Sequence, residues 1–186
     1  MSNKKCLFVL FFVLSLGYSA FTNISSAAWT TTTVDSAGDV GHCTSIALDG
    51  AGKAYIGYLD NTNGYLKYAT NAFGYWDTQT VDMESAGAYS SLAIDKYDNV
   101  HISYYDLKNR DLKYATNATN SWVIRTVDLK GRVGEYSSLA VDLTGHVGIS
   151  YFDRTNYNLR YANSLVPYGA VNTRPLKPMS RIRHKN

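Results

Sequence analysis

Apolar and polar side chains alternate most sharply over residues 100–106, where Val100, Ile102 and Tyr104 fall on one side and His101, Ser103 and Tyr105 on the other. A period of two is that of a β-strand with one packed face. The same alternation places Ala54, Ile56 and Tyr58, and again Val147, Ile149 and Tyr151, on the packed side. Shorter runs flank it. Ser91-Leu-Ala-Ile-Asp95 precedes it, Leu112-Lys-Tyr-Ala115 follows, and a fourth run opens at Trp122 and ends at Asp128, with polar clusters at 96–99 and 107–111 between them. Four antiparallel strands per unit follow from that order. No window places apolar residues at i, i+3, i+4 and i+7, and the abundance of Tyr, Thr, Val and Ser suits a pleated surface rather than a helix.

The unit is written three times. Ser45-Ile-Ala-Leu-Asp49, Ser91-Leu-Ala-Ile-Asp95 and Ser138-Leu-Ala-Val-Asp142 lie 46 and 47 residues apart, and Leu66-Lys-Tyr-Ala69, Leu112-Lys-Tyr-Ala115 and Leu159-Arg-Tyr-Ala162 keep the same step. Trp29, Trp76 and Trp122 are each followed five or six residues later by Val34-Asp35, Val81-Asp82 or Val127-Asp128. A fixed period of this length filled with short strands predicts β-propeller-type blades, here three four-stranded repeats in an all-β chain. The third set of strands lacks a fourth member, while a lone fourth-type strand is expected at 29–35. Strand exchange or oligomerisation is therefore expected to close the assembly, because propeller rings run from about four to eight blades. Two chains could form a six-bladed ring, the closure could run between chains, or the chain could be a shortened relative of a longer protein.

The ends differ from the repeats. Lys4 and Lys5, then an apolar run from Cys6 to Leu16 and the small residues Ser26-Ala27-Ala28, predict an export signal over 1–28 and a secreted, extracytoplasmic product with no membrane span after cleavage. Cys43 would then be the one remaining thiol, which excludes an intrachain disulfide. The formal charge of +3 belongs to the tail at 167–186, which carries Arg174, Lys177, Arg181, Arg183 and Lys185 and reads as unordered; residues 29–166 hold eleven Lys and Arg against fifteen Asp and Glu. A mildly acidic body gives no footprint for nucleic acid.

Identical positions serve every repeat, and variable ones are free for particular work. Asp49, Asp95 and Asp142 precede tight turns and are expected to cap them. Asp60, Asp106 and Asp153 end the second strand, followed by Asn63, Asn109 and Asn156 and then Lys67, Lys113 and Arg160. A turn cap with a surface ion pair is one reading. The other is a polar ligand site beside Tyr68, Tyr114, Tyr161 and Trp76 or Trp122, in which sugar C–H groups pack on rings and hydroxyls bond to Asp, Asn and the cation. The variable columns are His42, Ala88 and Glu135, and Tyr55, His101 and Gly148. His42 and His101 qualify for acid–base or metal chemistry by residue type alone, and neither a cofactor motif nor a metal motif occurs.

The tandem unit of 91–95, 100–106, 112–115 and Trp122 resembles the repeats of secreted bacterial β-propeller proteins loosely related to the sialidase (Asp-box type) propellers and to propeller lectins. The sialidase relation would imply an arginine triad, a Tyr–Glu nucleophile pair and an acid Asp. An Asp-box reads Ser-x-Asp-x-Gly-x-Thr-Trp, which Ser91-Leu-Ala-Ile-Asp95 does not match, so no catalytic residue is carried over and binding is expected rather than catalysis. The expectation is an exported homo-oligomeric protein holding a glycan or other extracellular ligand at multivalent sites. A glycoside hydrolase propeller and a structural or partner-binding propeller are the alternatives.

Overall fold

The computed structural model describes residues 28–84 and 87–165, so the expected leader up to residue 27 and the basic tail lie outside the described residues. Residues 28–32 fall in a separate compact unit and hold no strand. The fold described here belongs to the unit that begins at Thr33.

Eleven strands and no helix occur among the described residues. Sheet I runs β1 (Val40–Leu48), β2 (Ala54–Asp60), β3 (Tyr65–Thr70) and β4 (Asp77–Asp82). Sheet II repeats it as β5 (Gly87–Ile94), β6 (Val100–Asp106), β7 (Leu112–Thr116) and β8 (Val123–Asp128). Sheet III holds β9 (Val133–Val141), β10 (Val147–Asp153) and β11 (Asn158–Asn163). All pairings are antiparallel between sequence neighbours. The expected caps form: Asp95 Oδ1 accepts the Tyr97 and Asn99 N–H groups, and Asp49 and Asp142 do the same for the turns after β1 and β9. Each carboxylate satisfies backbone donors that the three-residue turn would otherwise leave open.

The sheets pack face on face in chain order. Leu66 and Tyr68 of sheet I meet Leu92, Val100, Ile102 and Tyr104 of sheet II, while Leu112 and Tyr114 of sheet II meet Leu139, Val147, Ile149 and Tyr151 of sheet III. Sheet II is therefore covered on both sides. The expectation that one face of β6 would be packed and the other open is corrected for this reason: every residue of β6 is buried, His101 and Tyr105 included. In β10, with a neighbour on one side, the alternation survives.

Hydroxyls tie the first strands together. Leu92 N–H donates to Ser45 Oγ at 2.8 Å, and Leu139 N–H to Ser91 Oγ at 3.0 Å. Ser90 Oγ–H donates to the Cys43 carbonyl and Ser137 Oγ–H to that of Tyr89. Those carbonyls sit on a β-bulge: Cys43, Tyr89 and Tyr136 have φ of 52°, 52° and 53°, and the pairing register shifts beside them. A non-glycine residue at such φ persists only where its surroundings hold it.

Two expectations about the fourth strand are corrected. Sheet III has three strands, and residues 29–35 form no strand. The reason lies at Asp35, whose carboxylate is bonded to Tyr58 and Lys67 on the outer face of sheet I, away from the β11 edge at the other end of the stack. Among the described residues no strand joins the third sheet to the first.

Close approach between sheets also explains a glycine. A Cβ on Gly134, whose φ is +103°, would lie 2.7 Å from the Leu112 Cα, a backbone atom that cannot swing aside. Gly52 has φ +75° but open space around it. Gly52→Ala is expected to cost about 1 kcal/mol from backbone strain alone, and Gly134→Ala about 2–4 kcal/mol because overpacking is added. Urea unfolding midpoints of the two variants check the difference.

Candidate functional site

The column of acids, amides and cations singled out in the sequence forms a closed internal network. Asp106 Oδ1 accepts the Lys108 and Asn109 N–H groups, and its Oδ2 accepts Asn109 Nδ2–H at 2.8 Å. Asp60 with Asn63 and Asp153 with Asn156 repeat the arrangement. The side-chain amide of Asn63 and that of Asn156 hold the Asp60 and Asp153 carboxyls below the ordinary carboxylate range. All three carboxylates are buried.

The cations lie near these caps but bond more closely to a second carboxylate. Lys113 Nζ is 3.8 Å from Asp106 and 2.8 Å from Asp82, at the end of β4 in the preceding sheet. Arg160 is 3.6 Å from Asp153 and 2.9 Å from Asp128, at the end of β8. Tyr104 and Tyr151 donate their hydroxyls to the same acceptors, Asp82 and Asp128, at 2.6 and 2.7 Å. Asp35 completes the series with Tyr58 at 2.7 Å and Lys67. Each Val-Asp pair thus reaches from the segment before a sheet into that sheet. Burial pushes the Asp82 carboxyl up, but Lys113 and Tyr104 outweigh it and hold it below its ordinary value; the same burial drives the Tyr104 hydroxyl far up and Tyr151 up to about 12.

The aromatic residues expected beside these groups lie on the opposite faces. Lys113 and Tyr114 are neighbours on one strand, so they point to opposite sides of it. Tyr114 is buried, its hydroxyl 2.5 Å from His101 Nδ1. Tyr68 is buried with its ring 5.4 Å edge-on from Trp122. Trp76 is half-buried, and Tyr161 is 69 % exposed on the outer face of sheet III. The structure brings Asp, Asn and cation together and places the rings elsewhere. His101, a variable-column residue, is a buried side chain whose burial pushes its pKa down against the pull of Asp95. Among the described residues no group of three His, Cys, Asp or Glu could hold a metal ion.

A different set is open to solvent. Tyr136, 64 % exposed, packs at a 51° tilt on the half-buried Tyr89 with 4.5 Å between ring centroids, and Tyr89 meets the buried Tyr105 at 6.1 Å. Both Tyr89 and Tyr136 owe their direction to the bulge. Beside them Glu135 is buried, with Arg132 Nε 2.7 Å from one oxygen and Arg154 Nη1 3.3 Å from the other. Both guanidinium groups remain half-exposed. The equivalent corner of sheet I carries His42, paired with Asp39 at 2.8 Å, and Cys43 in place of tyrosine. Glu135 and His42 stand in the column that varies between repeats, which is the signal the sequence offered for this corner; Tyr89 and Tyr136 were missed because the bulge that presents them has no sequence mark. Two aromatic faces beside two partly exposed guanidinium groups can stack a flat or apolar ring face and donate hydrogen bonds to its hydroxyls.

No family model matches the chain, and a search of curated proteins finds no match.

The lock has an acid limit. Lys67 chiefly, with the Ala37 N–H and Tyr58, depresses the Asp35 carboxyl to about 2 from 3.8. A depressed folded-state pKa adds stability that is complete above about pH 4 and is lost as pH falls through about 2. Asp35→Asn is expected to remove about 1–2 kcal/mol at pH 7 and to flatten that part of the acid limb. Thermal melts of both proteins between pH 6 and pH 2 check it. Asp82→Ala, which removes the nearer of the two carboxylates beside Lys113 and the acceptor of the Tyr104 hydroxyl, is expected to cost about 1–3 kcal/mol.

Proposed function

We propose that the chain is an exported, propeller-type binding protein whose blades are the three stacked sheets and whose ligand is an extracellular carbohydrate. The observation that carries the reading is the exposed Tyr136 ring on the half-buried Tyr89, beside the Glu135 corner with Arg132 and Arg154. The stacking order, the repeated antiparallel sheets and the ties between first strands support the propeller class. Apolar sugar faces pack on tyrosine rings, and sugar hydroxyls accept from guanidinium N–H groups. The Asp60, Asp106 and Asp153 columns hold the sheets and turns, and the ligand sits at the bulge instead. For the hydrolase alternative, Glu135 is the buried carboxylate at this corner, and both of its oxygens are engaged by guanidinium groups.

A glycan array run beside a panel of chromogenic glycosides tests the reading. Binding without glycoside cleavage is expected; cleavage would favour the hydrolase, and neither would remove carbohydrate from the proposal. Tyr136→Ala is expected to weaken binding of the captured glycan roughly tenfold or more with little change in melting temperature. Asp106→Asn is expected to do the reverse, lowering stability by about 0.5–2 kcal/mol through its lost cap and leaving affinity unchanged.

A further inference from the structure

The two outer faces of the stack are the two halves of the joint that already occurs twice inside it. On sheet III, Leu159 is 84 % exposed and Tyr161 69 %, whereas their counterparts Leu66, Leu112, Tyr68 and Tyr114 are buried against the next sheet. On sheet I, Ile46 and Leu48 are each 61 % exposed, whereas Leu92 packs inside the first joint and Leu139 inside the second. Leu66 sits so close to Gly87, and Leu112 to Gly134, that a Cβ on either glycine would collide with the leucine at 2.5 and 2.7 Å. Gly41 is the third member of that column, and no atom lies within 4 Å of its Cβ position. In place of a leucine there is a hollow of ≈ 260 Å³ lined by Val34, Val40, Gly41, Ile56 and Tyr58. A leucine seat without its leucine faces one way, and a leucine without its seat faces the other.

We infer that the occupant of each outer face is a second copy of this chain, sheet III of one copy packing on sheet I of the other so that Leu159 enters the hollow beside Gly41. The rest of the joint follows from its two internal examples. Ile46 N–H would donate to Ser138 Oγ of the second copy, as Leu92 and Leu139 donate to Ser45 and Ser91. Thr44, at the position of Ser90 and Ser137, would donate to the Tyr136 carbonyl. Asp35 stays on its own Tyr58 and Lys67, as Asp82 and Asp128 stay on Tyr104 and Tyr151. Residues 33–35 then lie by the free edge of β11 of the second copy, in the place that the end of β4 takes beside β3.

Two such joints related by a two-fold axis close six sheets into a ring. The number of copies rests on the propeller-type reading, since six falls within the range of rings; the seats themselves do not rest on it.

Light scattering on the protein expressed as residues 1–186 tests the inference without any ligand. The expected mass is that of two chains. Leu159→Asp and Ile46→Asp, one on each outer face and both at exposed positions, are each expected to give a monomer with an unchanged far-ultraviolet circular dichroism spectrum. Leu107→Asp, on a turn outside both faces, is expected to remain a dimer. A parent protein that is monomeric, a dimer indifferent to both face substitutions, or growth into open-ended assemblies would each overturn it. An intact dimer that binds no glycan would sink the ligand reading and leave this one standing.

Discussion

The contact on which the structure depends is the carboxylate handed from one repeat to the next. Asp35, Asp82 and Asp128 each leave the segment that carries them and take a tyrosine hydroxyl and a cation from the sheet that follows. A buried carboxylate is tolerable only if its charge is matched and its lone pairs are filled, and here the filling groups come from two different strands of the next sheet. Loss of the joint would strand a carboxylate on one side and take from Lys113 and Arg160 the nearer of their two anions on the other. The apolar cores on either side of sheet II are not charge-selective, so they fix how much surface is covered. The polar joint fixes which sheet follows which and in what register.

What the sequence made legible was what is local to a strand. The alternation at 100–106, the capped turns after Asp49, Asp95 and Asp142, and the step of 46 and 47 residues are all properties of contiguous stretches, and the strands cover those stretches, although β1, β5 and β9 start four or five residues ahead of Ser45, Ser91 and Ser138. What escaped was set by neighbouring sheets. His101 and Tyr105 alternate like solvent-facing residues and are buried because a third sheet covers them. Lys113 and Tyr114 look like one cluster in a line of letters, yet pleating sends them to opposite faces. The Val-Asp pairs were visible as a repeat, but their partners lie 22 to 32 residues away and in the next unit. The strand expected at 29–35 failed for the same reason: its aspartate was read with one end of the stack and belongs to the other.

Uniformity at the joints leaves variety to the bulge. Cys43, Tyr89 and Tyr136 share one unusual backbone conformation, and all three carbonyls project from it, two of them into bonds with the next sheet. Because the tie uses main-chain oxygen, the side chain at that position is released from structural duty. Tyrosine in two repeats and cysteine in the third, with glutamate, alanine or histidine just before, are what such release permits. Function is placed where the backbone does the holding.

The offset between repeat and sheet has a consequence for how such a chain can change length. Since each joint is built half from one repeat and half from the next, cutting or copying the gene at one point and its equivalent one period later leaves every carboxylate facing a tyrosine and a cation. Repeat number is then a quantity that recombination can alter in single steps, provided the cut leaves the buried Glu135 in the same repeat as Arg132 and Arg154.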